Sequence, residues 1–245
     1  MSTRRRSARD HARRELGQNF LVDEGAARHL VDLLEPTQTP VVELGAGSGA
    51  ITRHLVHSGR EVVAVELDPH WANHLREAFP RVRVVRCDML DYRFPSSEHA
   101  VIGNLPFGLT TSMTRRLLAE ESWSEAVLLV QWEVARKRAK ATNQLNAQWA
   151  PWYEFHLHGK VPARSFRPQP AADGGVLKLT RRPRPLLPLK HQRSYQEFVE
   201  AVFTGRGRGM TEIVRNATGH HIRDLPPLPK DLPTEAWPRL YTRTT

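Results

Sequence analysis

The feature that most limits what this chain can fold into is a repeating order of short β-branched runs and helical stretches, opened by a glycine loop. Val41-Val42-Glu43-Leu44 reads as a strand, followed by Gly45-Ala46-Gly47-Ser48-Gly49 and a helix over 50–57. A second strand is predicted over 61–65 and ends at Glu66-Leu67-Asp68. Pro69 then suits the first turn of a helix reaching about residue 79. Further strands are predicted over 82–86, 100–103 and 126–130. Strands alternating with helices at this spacing form βαβ units and a mostly parallel sheet. Residues 153–161 and 175–180 read as two late strands around a Pro-rich stretch, adding an antiparallel edge. After the stiff linker 183–188, Tyr195, Phe198, Val199 and Val202 fall at helical spacing. A second short helix is predicted over 210–217.

Charge divides the chain differently. The 245 residues carry a net charge of +10. Residues 1–20 hold six arginines, Arg4, Arg5, Arg6, Arg9, Arg13 and Arg14, against Asp10 and Glu15. Residues 181–245 hold twelve basic and six acidic side chains. Everything between is neutral, with 18 of each sign. A neutral body between two basic ends points to a polyanionic partner, either nucleic acid or an anionic membrane surface. Mean hydropathy is −0.50, and no apolar run approaches the roughly 20 residues of a membrane span. No membrane partner is therefore expected. The first residues lack the apolar core of a secretory signal. The single cysteine, Cys87, excludes disulfides and cysteine-based zinc sites, so a cytoplasmic protein is expected. The twelve histidines lack acidic partners at ligand spacing, so no metal is expected.

The glycine loop, at the carboxyl end of the first strand, lets a ligand approach the backbone. Glu66 ends the next strand, placed for a ribose hydroxyl pair, and Asp88 ends the third. The loop also matches G-x-G-x-x-A, so a dinucleotide is one candidate. Glu43, just before the glycines, suits the ammonium of an amino-acid moiety, and Asp88 offers an acceptor for an exocyclic amine. These carboxylates favour S-adenosylmethionine over a pyrophosphate. Asn104-Leu105-Pro106-Phe107 follows the fourth strand. The Asn104 oxygen and the Leu105 carbonyl can accept both hydrogens of an adenine N6. That steers a poorly nucleophilic nitrogen toward a tetrahedral shape. Pro106 stiffens the turn, and Phe107 offers a stacking face for an extruded base.

Over about residues 14–182 the chain resembles the rRNA adenine N6-methyltransferases, namely the erythromycin-resistance methylases and the housekeeping small-subunit dimethyltransferases. Leu16-Gly17-Gln18-Asn19-Phe20-Leu21 is similar to the family's N-terminal motif, and Ser165 to Pro170 to its late loop. Gln131 to Arg138 and Gln148 to Trp152 resemble the actinomycete resistance methylases, although Asn-Leu-Pro is more usual in the housekeeping branch. The resemblance implies that Asn19 and Leu21 contact the methionine moiety and Gly45 lines the same pocket, with Gln18 and Gly47 also expected to bind the cofactor. Glu66 would hold the ribose and Asp88 the adenine amine, with Leu67 and Met89 also expected to bind the cofactor. Phe166 would sandwich the target adenine against Phe107.

The expectation is an α/β, Rossmann-like methyltransferase domain over 16–182, with a mostly parallel sheet and an antiparallel late strand. A basic arm over 1–15 precedes it, and a small all-helical RNA-binding domain over 183–245 follows. The expected chemistry is metal-free transfer of methyl from S-adenosylmethionine to N6 of a flipped adenine in 23S rRNA, at the macrolide site. S-adenosylhomocysteine is the product, and the protein acts as a monomer. Methylation of 16S rRNA, a non-catalytic RNA-binding relative and a dinucleotide-dependent oxidoreductase are the alternatives.

Overall fold

The computed structural model describes residues 19–245. The arm arginines and Gln18 lie outside the described residues. The elements in chain order begin with β1 (Phe20–Leu21), α1 (Glu24–Asp32), β2 (Val41–Leu44), α2 (Thr52–Leu55), β3 (Val62–Glu66) and α3 (Pro69–Ala78). They continue with β4 (Arg83–Arg86), β5 (His99–Asn104), α4 (Thr110–Ala119), β6 (Trp123–Gln131), α5 (Trp132–Lys140) and α6 (Gln144–Trp149). The last are β7 (Tyr153–Val161), β8 (Phe166–Arg167), β9 (Gly174–Arg181), α7 (Gln192–Thr204), α8 (Met210–Thr218) and α9 (Trp237–Thr242).

Seven strands form one sheet in the order β4-β3-β2-β5-β6-β9-β7. The β2–β3, β3–β4, β2–β5 and β5–β6 pairs are parallel. β2 and β3 are buried along their whole length, which is why they read as unbroken apolar runs rather than as alternation. From β2 the chain steps outward to β3 and β4, then returns to the other side of β2 for β5 and β6. The strand order therefore reverses between β2 and β5, the place where open α/β sheets bind ligands.

β6 starts three residues before its predicted first residue. Ser124 and Glu125 interrupt the apolar run, yet Glu125 is buried and ion-paired to Lys178 at 3.1 Å. Trp123, also fully buried, donates its ring N–H to the Leu117 carbonyl at 2.5 Å. A two-stranded ribbon pairs β1 with β8 antiparallel, Phe20 opposite Arg167 and Leu21 opposite Phe166. Sequence periodicity had no way to find two strands of two residues each.

The described chain divides into two units. One runs to Ala135 and includes His158–Lys178; the other joins Arg136–Leu157 to Leu179–Thr245. The second unit thus holds more than the helical segment expected after 183. Its core accounts for the addition. Tyr195 on α7 donates its hydroxyl to the Ala147 carbonyl of α6 at 2.7 Å, and its ring meets Trp152 and Tyr241 edge-on. α9, which no spacing predicted, closes that core with buried Trp237, Leu240 and Tyr241. Among the described residues no helix is long and apolar enough to cross a membrane.

Candidate active site

A cleft opens in the first unit at the carboxyl ends of the central strands. Its walls come from Asn19 and Phe20, the glycine loop, the ends of β3 and β5, the turn after β4, and the Asn104–Phe107 stretch with Leu109. Parallel strands bring these together because each delivers its last residue to the same edge of the sheet.

The glycine loop is tight for two reasons. Gly45 and Gly47 have φ of +68° and +53°, values that side-chain-bearing residues rarely adopt. A Cβ on either would lie 3.0 Å from a neighbour, Met89 Cε for Gly45 and the Phe20 ring for Gly47. The loop is anchored beneath by Glu66. Its Oε2 accepts the Gly47 N–H at 2.7 Å and its Oε1 the Asp68 N–H at 2.8 Å. Burial pushes the Glu66 carboxyl above its ordinary range, against the pull of those amides. Asp88 Oδ1 accepts the Leu90 N–H at 2.8 Å. Leu67, 41% exposed, adds an apolar lip between the two acids.

On the other side of the cleft, Asn104 Nδ2 donates to the Asn19 carbonyl at 2.8 Å. This bond turns the amide so that Oδ1 is the free end, and among the described residues Oδ1 receives no hydrogen bond. Leu105 N–H is tied to the Leu129 carbonyl at 2.9 Å, and Pro106 precedes a single 3₁₀ turn, Phe107–Leu109. Phe107 is half-buried in the cleft wall.

Of the expected site residues, Asn19, Gly45, Gly47, Glu66, Leu67, Asp88, Met89, Asn104, Leu105, Pro106 and Phe107 converge on this cleft. Three are placed elsewhere. Glu43 is 1% exposed, lines no part of the cleft, and accepts the Thr52 hydroxyl at 2.6 Å. Burial pushes its carboxyl up to about 8, so at neutral pH it is mostly protonated and is no counter-ion for an ammonium. Leu21 and Phe166 face each other across the β1–β8 ribbon inside the core, 3% and 0% exposed. Phe166 packs where a Cβ on Gly174 would meet its ring at 3.0 Å, and it lines no part of the cleft that holds Phe107. The alternation of a strand explains both: in β1 the residue facing the cleft is Phe20, and its neighbour Leu21 faces inward.

Phe20 and Leu109 are the cleft residues that sequence reasoning missed. Phe20 stood in the N-terminal motif, but only the ribbon decides which of two adjacent residues faces the ligand. Asn19 contributes through its backbone carbonyl, a role that no side-chain pattern displays.

Chemically, the cleft suits an adenosine with a zwitterionic tail. Among the described residues it is lined by two carboxylates and by no Arg or Lys, so it would repel a pyrophosphate. The Glu66 and Asp88 carboxylates suit ribose hydroxyls and an exocyclic amine. No group of three or more His, Cys, Asp or Glu gathers at metal-binding distance among the described residues.

Comparison with known proteins converges on one family. The ribosomal RNA adenine dimethylase model matches residues 9–227. An rRNA adenine N-6-methyltransferase of Corynebacterium diphtheriae is 43% identical, over 89% of this chain and 88% of its own length. The mycinamicin-resistance protein MyrB of Micromonospora griseorubida is 46% identical, over 94% of this chain and 78% of its own. Among solved structures, the 23S rRNA methyltransferase ErmE superposes with a TM-score of 0.81 at 29% identity, covering 92% of this chain and 99% of that one.

Proposed function

The chain belongs to the ribosomal RNA adenine dimethylase family, and from that membership we propose that it methylates N6 of one adenine in 23S rRNA at the macrolide site. It would thereby confer resistance to macrolides, lincosamides and streptogramin B. As a member it is an S-adenosylmethionine-dependent enzyme acting on rRNA. The observation that carries the proposal is the meeting, in one cleft, of a donor half (Gly45, Gly47, Glu66, Asp88) and Asn104-Leu105-Pro106-Phe107. The 23S target is supported by the likeness to a macrolide-resistance protein and to a 23S rRNA methyltransferase.

S-adenosylmethionine supplies a methyl group already activated by a sulfonium. What the chain adds is position. Glu66 would hold the ribose and Asp88 the adenine amine of the donor, with Leu67 and Met89 against its apolar faces. Asn104 Oδ1, turned outward by the Asn19 carbonyl, and the Leu105 carbonyl would accept the two N6 hydrogens of the target. That frees the nitrogen lone pair and aims it across the cleft. Phe107 would stack on the extruded base, worth about 1–3 kcal/mol. The arm arginines and the basic residues after 183 would hold RNA phosphates. The enzyme would work in the cytoplasm, as a monomer on naked 23S rRNA.

Incubation with methyl-labelled S-adenosylmethionine and naked 23S or 16S rRNA tests this, with mass spectrometry of the modified fragment giving site and methyl count. Label is expected in 23S rRNA. Label in 16S alone overturns the assignment, and binding of cofactor with no label in either favours a non-catalytic relative.

A further inference from the structure

The turn that carries Asp88 and Met89 is held from behind by one side chain. Arg116, on α4, donates Nη1 to the Met89 carbonyl at 3.0 Å and to the Leu90 carbonyl, and Nη2 to the Tyr92 carbonyl. Its guanidinium lies over the Phe94 ring, 5.4 Å from the centroid, and 3.8 Å from the Glu120 carboxylate. Arg116 lines no part of the cleft. Yet one residue it grips, Met89, lines the donor half beside Asp88. The Leu90 residue is held at both ends, its N–H by Asp88 Oδ1 at 2.8 Å and its C=O by Arg116. The Met89 side chain in turn packs against Gly45, its Cε 3.0 Å from where a Cβ would sit. A turn with three carbonyls satisfied by one planar fork has little freedom to shift the Asp88 carboxylate.

We propose that Arg116 is a positioning residue for the adenine end of the donor cleft, fixing Asp88 and Met89 through the backbone of residues 89–92. This rests on the donor assignment made above. α4 begins directly after the Phe107–Leu109 turn, so the helix that starts at the target-base side also pins the donor side. Lysine, a point charge with no fork, satisfies these carbonyls less completely.

The test compares Arg116→Ala and Arg116→Lys with the wild type in three measurements. Calorimetry gives the dissociation constants of S-adenosylmethionine and of 5′-methylthioadenosine, which carries the adenosine without the amino-acid tail. Hydrogen exchange in the ligand-free protein reads the amides of Leu90 to Tyr92. Steady-state kinetics separates KM from kcat. Arg116→Ala is expected to weaken both ligands by a similar factor of about ten. It should also speed exchange in that turn alone and leave kcat at saturating donor, and KM for rRNA, within about twofold. Arg116→Lys should recover part of the loss. Unchanged ligand affinity, or faster exchange spread over the whole first unit, overturns the proposal. So does a loss confined to S-adenosylmethionine with 5′-methylthioadenosine unaffected. If Arg116→Ala does not fold, Arg116→Lys carries the same measurements. A wild type that binds neither ligand instead sinks the donor assignment itself.

Discussion

The two halves of the cleft are finished to different degrees. In the donor half the polar groups already have protein partners: Glu66 takes two amides, Asp88 takes one, and the glycine loop is wedged between Phe20 and Met89. In the acceptor half the Asn104 amide is anchored at one end only, and Phe107 presents a half-buried ring with no aromatic partner among the described residues. A small, recurring ligand is served by a site rigid before it arrives, since no ordering cost is then paid on binding. A base drawn from an RNA helix brings its own neighbours, and the protein needs only an acceptor and a stacking face for it. The contrast also separates two phenylalanines that the sequence makes look equivalent: Phe107 belongs to the acceptor half, and Phe166 belongs to the core.

That separation gives the largest expected effect. Phe166→Ala should cost about 3–5 kcal/mol of stability by leaving a cavity, while KM for rRNA in the surviving folded protein stays close to wild type. Phe107→Ala should do the reverse, leaving the melting temperature nearly unchanged and weakening transfer by about 1–3 kcal/mol. Denaturant unfolding and steady-state kinetics on both variants would read this. A raised KM for rRNA in a stable Phe166→Ala would erase the distinction.

Next in size, Asn104→Ala should lower kcat by about 10²–10³ and keep rRNA affinity, because Oδ1 acts on the reacting nitrogen and not on the bulk of the RNA. Single-turnover rates and filter binding check this. A parallel loss of rRNA binding would mean that the acceptor half is a docking surface rather than a site of chemistry.

A pH-dependent effect concerns Glu43, under the donor half. Its folded pKa of about 8 stands above its ordinary 4.5. Between those values the unfolded chain gives up a proton that the folded chain keeps, so this group's contribution to stability is full below 4.5 and is lost as pH rises toward 8. Glu43→Gln cannot titrate. The stability of wild type relative to Glu43→Gln is therefore expected to fall from pH 5 to pH 8 and to level off above. A constant difference across that range would show that Glu43 is ionised in the fold.

Much of this was legible in the residues. β2, β3 and β5 were visible because strands buried on both faces carry continuous apolar runs, and β7 matched its predicted bounds over Tyr153–Val161. Glu66, Asp88 and Asn104 were visible because a polar residue ending such a run has only the sheet edge to occupy. β6 was read short because its first turn of chain hides an ion-paired carboxylate, Glu125, inside the core. α9 was missed because six residues with one Pro carry too little periodicity.

The sequence by itself determined the order of strands and helices, the glycine loop and the residue types that end each strand, since these follow from local pattern and from the geometry of parallel sheets. Tertiary structure alone decided which neighbours face the ligand. Phe20 rather than Leu21, Phe107 without Phe166, and Glu43 turned to Thr52 all depend on pairings between residues far apart in the chain. A one-residue step along a strand reverses the direction of a side chain, and only the partner strand fixes that step.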